Sequence, residues 1–113
     1  MSRRLSTRMR AAARRIERGF CKGRLAVDAN GDMVYPSSQR AVAWCLMGAL
    51  DAERLLDRDD SPALQILGAG IPVHFPFQIR SKLVEWNNAP KTIAPEVATL
   101  LYLGAEIASE EGR

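Results

Sequence analysis

Seven arginines crowd the first eighteen residues, yet they leave one stripe of that segment free. Leu5, Met9, Ala12, Ala13, Ile16 and Phe20 recur at steps of four, three, one, three and four, which is one face of a helix. Arg3, Arg4, Arg8, Arg10, Arg14, Arg15 and Arg18 take the other face. A helix so divided must bury its stripe against the rest of the chain while its charges stay wet or meet an anion. The spacing predicts a helix within 1–20, from about Ser2, a cap residue, to Arg18, with Gly19 ending it.

The remainder can supply the surface that such a stripe needs. The chain has 113 residues, 47% of them hydrophobic and 26% charged, which fits one folded domain and excludes a largely disordered chain. Two cysteines are too few for a disulfide framework or a four-cysteine zinc site, and one histidine excludes most histidine-based metal sites. No run of about 18 apolar residues is present, so no transmembrane helix and no membrane partner are expected. The arginine-rich, acid-poor start resembles a transit peptide, but its regular stripe favours a structural helix, and a cytoplasmic chain with reduced thiols is expected. A disulfide between Cys21 and Cys45 stays open on spacing alone.

Further along, Leu25 and Val27 precede Asn30-Gly31, and Met33, Val34 and Tyr35 follow, which predicts a hairpin over 24–35 with a type I′ turn. Pro36-Ser37-Ser38 then leads into a predicted helix over 39–56. Its stretch Ala41–Leu50 is apolar nearly all round and so is expected to be buried on several sides, with Gly48 letting another helix come close. Ser61-Pro62 starts a short helix over 62–67. Ile71 to Phe77 is an apolar loop pinned by two prolines, and Val73, Phe75 and Phe77 are candidates for a contact surface. Helices over 77–87 and 93–110 follow, the second capped by Thr92. The fold class expected is a compact, mainly α bundle of four to five helices with a small β-hairpin after the first.

Charge divides the chain unevenly. Residues 1–24 hold nine of the sixteen bases and one acid, a net +8, which leaves −5 for the rest. An anionic partner is one reading of that segment: an acidic protein surface, or nucleic-acid phosphates. Docking on the acidic body of the same or a second copy is another, with Glu106, Glu110 and Glu111 as acceptors. The helix lacks the interleaved aromatics that stack on bases.

Little else points to chemistry. Asp28-Ala29-Asn30-Gly31-Asp32 has the start of a calcium loop but Met33 at position 6 and Gln39 at position 12, so it reads as a turn. His74 has no acid or cysteine within three residues, and Cys45 in the apolar stretch is an inert small hydrophobe. There is no phosphate loop and no nucleophile elbow. No enzyme, no metal and no cofactor are expected. A possible ligand pocket remains. Trp44 and Cys45 facing Trp86, Asn87, Asn88 and Thr92 could hold a planar, nucleotide-like ligand. The simpler alternative makes both tryptophans core and the polar residues ties at helix ends.

These residues carry a resemblance. Lys22-Gly23-Arg24 with Asp28 and Gly31, then Trp44-Cys45-Leu46-Met47-Gly48-Ala49, then Trp86-Asn87-Asn88, Lys91-Thr92 and Glu96-Val97 resemble the motif order of a family of short, uncharacterised bacterial and phage proteins. Asn88 stands where that family often has Asp. The resemblance covers about residues 20–98 and implies a helical fold and a bacterial or phage origin, but no chemistry. The reading put first is a small non-enzymatic binding protein that occupies a partner protein complex, as a phage-encoded inhibitor or adaptor would. The alternatives are a nucleic-acid binder using the first helix, and the ligand pocket. A homodimer is compatible with each.

Overall fold

Small residues fix the centre of the molecule. Ala12 and Ala13 of the first helix and Ala98, Ala105 and Ala108 of the last are all buried. Side chains of this size let two helix backbones approach, and larger neighbours then fill the seam. The structure, a computed structural model, describes residues 4–57, 61–69 and 76–113, without the side chains of 76 and 77. It comprises α1 (Leu5–Arg18), β1 (Ala26–Val27), β2 (Ala43–Trp44), α2 (Leu46–Ala52), α3 (Pro62–Leu67), α4 (Pro76–Asn88) and α5 (Ala94–Glu110). The chain is mainly helical with a small antiparallel β element after the first helix, as its periodicities predict.

The first and last helices form the main seam, the most extensive contact between any two elements. Met9 and Ile16 of α1 and Val97 and Leu101 of α5 are fully buried there. Burying each contributes roughly 1.5–3 kcal/mol. The Ser6 hydroxyl donates to the carbonyl of Arg113 over 3.0 Å, and the Tyr102 hydroxyl donates to Glu17 Oε1 over 2.6 Å. Thus the basic helix docks on its own chain, but through its apolar stripe. Among the described residues no ion pair joins its arginines to Glu106, Glu110 or Glu111.

The predicted hairpin is partly redrawn. Asn30-Gly31 does turn the chain, but only Gly31 has a positive φ, +84°, so the turn is not type I′. Asp28 N–H donates to Asp32 O, Gly31 N–H donates to Asp28 O, and the Asp28 carboxylate accepts from the N–H groups of Asn30 and Asp32. That is a three-residue loop ending in a left-handed glycine. Beyond it Met33 makes a single bridge to Val27. The full partner of β1 is β2, with Ala26 opposite Trp44 and Val27 opposite Ala43.

The helix expected over 39–56 is therefore shorter. Residues up to Trp44 form turns and strand, and only Leu46–Ala52 is helical. The apolar run is apolar all round for two reasons in succession. Trp44 sits between Phe20 and Ala26 in the ladder, and then α2 is buried from Leu46 through Leu50. Gly48 accommodates backbone rather than a helix: a Cβ there would lie 1.8 Å from the carbonyl oxygen of Leu25.

The start of α3 follows sequence chemistry closely. Ser61 caps α3, its hydroxyl oxygen accepting from Leu64 N–H, with Pro62 in the first turn. At α5 the expected cap is displaced. Thr92 Oγ1 donates instead to Trp86 O at the end of α4, while Ile93 occupies the cap and Glu96 Oε1 accepts from Ile93 N–H. Ser2 lies outside the described residues. Arg4 holds the α1 cap position without a side-chain cap bond, and Gly19 ends α1 in extended backbone.

Candidate functional site

The arginine face of α1 is divided by what it touches. Arg8 Nε donates to Glu53 O over 2.9 Å, and its Nη2 donates to Arg54 O. Arg15 Nε meets Glu53 Oε2 at 2.8 Å, and Glu53 is buried. The guanidinium groups of Arg15 and Arg18 lie over the Trp44 ring, 5.1 and 5.5 Å from its centroid. These three arginines grip the turn after α2 and cover the ring. The side chains of Arg4, Arg10 and Arg14 make no hydrogen bond or ion pair among the described residues, and Arg4 and Arg14 are exposed. Arg3 lies outside them.

The structure divides the residues of the possible two-tryptophan pocket between separate places. Trp44 is buried, with Nε1 donating to Pro36 O over 2.9 Å. Trp86 lines a separate shallow cleft with Pro95, Glu96, Thr99, Leu100 and Leu103. The polar residues between them are ties. Buried Asn87 accepts from Leu46 N–H at Oδ1 over 2.9 Å, which caps α2 from across the fold, and donates through Nδ2 to Cys21 O and Asn88 Oδ1. Asn88 Oδ1 also accepts from Gly23 N–H, and Lys22 Nζ donates to Ala89 O. An aspartate at 88 would offer the same acceptor. Cys45 Sγ accepts from Gly48 N–H, a second cap for α2.

Neither thiol is activated. Burial, then the nearby Cys45, push the Cys21 thiol up to about 11 against the attraction of Arg24, and burial raises Cys45 as well. Both cysteines are free, so the disulfide left open by spacing is not formed. Among the described residues no group of three or more His, Cys, Asp or Glu could hold a metal ion, and no helix is long and apolar enough to cross a membrane. His74, Val73 and Phe75 lie outside the described residues, as does the side chain of Phe77.

The surface that does stand out was missed in sequence. Tyr35 is 84% exposed and Met33 68%, the two most exposed large apolar side chains described. With Leu25, Val34, Pro36, Ser38 and Arg40 they line a groove of about 630 Å³. Leu25 is shared with a smaller cleft of about 160 Å³ that runs past Arg24, Cys45, Met47 and Val84 to Asn87 and Asn88. Arg24 and Arg40 border this continuous apolar surface, and no acidic residue lines either cleft. One signal for it was available: Met33-Val34-Tyr35 is a run of three apolar residues, and successive strand residues cannot all face one core.

A family model for a family of unknown function (DUF6197) matches residues 1–106. The chain belongs to that family. Membership agrees with the expectation of an uncharacterised family and covers both the arginine helix and the exposed groove. No curated protein and no solved structure matches the chain.

Proposed function

We propose that this member of the family is a small protein-binding module that acts by occupying a partner's surface, as an inhibitor or adaptor does, rather than by catalysis. One observation carries the reading: Leu25, Met33 and Tyr35 stay exposed together around one groove. Contiguous apolar surface of this kind marks interaction sites. Tyr, Met and Arg are also the residue types that protein interfaces enrich. The Arg24 and Arg40 border favours a partner with an acidic surface. A photo-crosslinking residue at position 35, in cells that make the chain, should give a discrete protein adduct that Met33→Glu removes. No adduct, or one indifferent to Met33→Glu, overturns the reading.

A second reading has its own support. Arg10, Arg14 and Arg18 follow one another at four-residue steps along α1, and Arg14 and Arg18 are exposed. They could lie along phosphates, each contact adding roughly 0.9 to the slope of log affinity against log salt for duplex DNA. Arg10→Ala, Arg14→Ala and Arg18→Ala together should flatten that slope. Unchanged oligonucleotide affinity would dismiss nucleic acid as the partner.

A further inference from the structure

The chain carries, on α5, a surface with the properties that the groove lacks. α5 has Glu96, Glu106 and Glu110 and no basic residue. Its buried line (Val97, Leu101, Ala105, Ala108) faces the core, while Leu103 and Ile107 are exposed one turn apart on the other side, 53% and 42%. Beside Leu103 is the shallow cleft of about 420 Å³ that includes Trp86, Pro95 and Thr99. So one face is apolar and acidic with a hollow, and the other is apolar and basic with a projecting Tyr35.

We infer that the groove is occupied by α5 of a second copy of this chain. Tyr35 and Met33 would seat against the Trp86–Leu103 face, with Arg24 and Arg40 opposite the α5 glutamates. The match is twofold, apolar against apolar and base against acid, and the two surfaces together offer the buried aromatic centre and charged border of a protein interface. Nucleic acid would satisfy Arg24 and Arg40 but leave Leu25 and Met33 without a counterpart. Each copy offers one groove and one α5 face, so the contact closes as a reciprocal two-fold pair or a larger ring, or grows as an open chain. This inference rests on the protein-binding reading above and names its partner.

Sedimentation velocity on the full chain tests it. The wild type should sediment faster as concentration rises. Tyr35→Glu spoils the groove and Leu103→Glu spoils the helix face; each alone should remain a monomer, with self-association weakened at least ~10-fold, since about 1.4 kcal/mol lost at the contact already suffices. Mixed in equal amounts, the two variants should combine into a one-to-one dimer and stop, because one intact groove and one intact α5 face remain. Met33→Glu repeats the groove arm should Tyr35→Glu misfold, as judged by circular dichroism. A monomeric wild type at ~1 mM, well above the micromolar range of a specific contact, overturns the inference. So does a mixture that stays monomeric, or a groove variant that assembles like the wild type. A monomeric wild type that still gives a Tyr35-site adduct with a different protein sinks the second-copy inference alone; no adduct of any kind sinks the protein-binding reading with it.

Discussion

Gly48 and Gly104 are both buried where something comes close, and they would respond to one added methyl group in opposite ways. At Gly104, in the seam between α1 and α5, a Cβ would meet Met9 Cε at 2.6 Å and Leu67 Cδ2 at 3.0 Å, the far ends of flexible side chains. At Gly48, in the junction between α2 and the β element, it would meet the Leu25 carbonyl oxygen at 1.8 Å, which is backbone. The seam is side chain against side chain and can give. The junction is polar group against polar group: Asn87 on Leu46, Cys45 on Gly48, the Trp44 ring on Pro36, Arg8 and Arg15 on Glu53. Each of these bonds has a direction and a length, so a small displacement loses several at once.

The sharpest way to break this contrast is the pair Gly48→Ala and Gly104→Ala. The first should cost at least ~3 kcal/mol, at the upper end for overpacking, and leave the chain largely unfolded in a urea titration. If it folds normally, the junction is softer than its bonds imply. Next in size, Asn87→Ala leaves the Leu46 N–H buried without its acceptor and should cost about 2–3 kcal/mol, with faster hydrogen exchange at α2 as its signature. Glu53→Ala strips Arg15 of its buried carboxylate and should cost about 2 kcal/mol, scaled down from the fully buried case because Arg15 is partly exposed. A double-mutant cycle with Arg15→Ala should return a coupling of roughly 1 kcal/mol or more. Gly104→Ala belongs near zero, within about 1 kcal/mol, because better helix propensity offsets the shift of Met9.

The smallest effect concerns protons. Cys21 is raised from 9.0 to about 11, so at pH 8 it should react with iodoacetamide roughly 100-fold more slowly than an ordinary thiol. A raised value means that the folded chain holds its proton where the unfolded chain has lost it. The stability this gives is complete below about pH 9 and lost by about pH 11. Cys45, raised by burial, and Tyr102, raised first by its hydrogen bond to Glu17, act in the same direction. Melting temperature should therefore fall through the alkaline range, and less steeply in Cys21→Ala. An alkaline melting profile unchanged by that substitution would return Cys21 to ordinary behaviour.

The two helices of the seam were legible in sequence, though not their pairing, and the junction was not, for a physical reason. Helical spacing records which side of an element is wet, and α1, α3, α4 and α5 each have a wet side. Ser61-Pro62 even marked the start of α3. The stretch from Ala41 to Leu50 has no wet side, so nothing in its pattern distinguished a strand followed by a short helix from one long helix. Asn87 could be read as a tie at a helix end, but its partner Leu46 lies 41 residues away and left no local trace. Thr92 chose the carbonyl of Trp86 over the cap of α5, a competition between two nearby helix ends that spacing does not decide. The exposed groove is hidden because Met33 and Tyr35 read as the second strand of a hairpin, whereas β1 finds its partner in β2.

The α1–α5 seam also sets an order in time. Ribosomes deliver α1 first, and its principal partner follows only after about 75 further residues, on the order of 4–15 s later at ordinary elongation rates. Until then Met9 and Ile16 lie on an uncovered stripe, beside a row of arginines whose mutual repulsion discourages one nascent chain from joining another. α1 is thus made well before the helix that shelters most of its stripe, and its charge protects it while it waits.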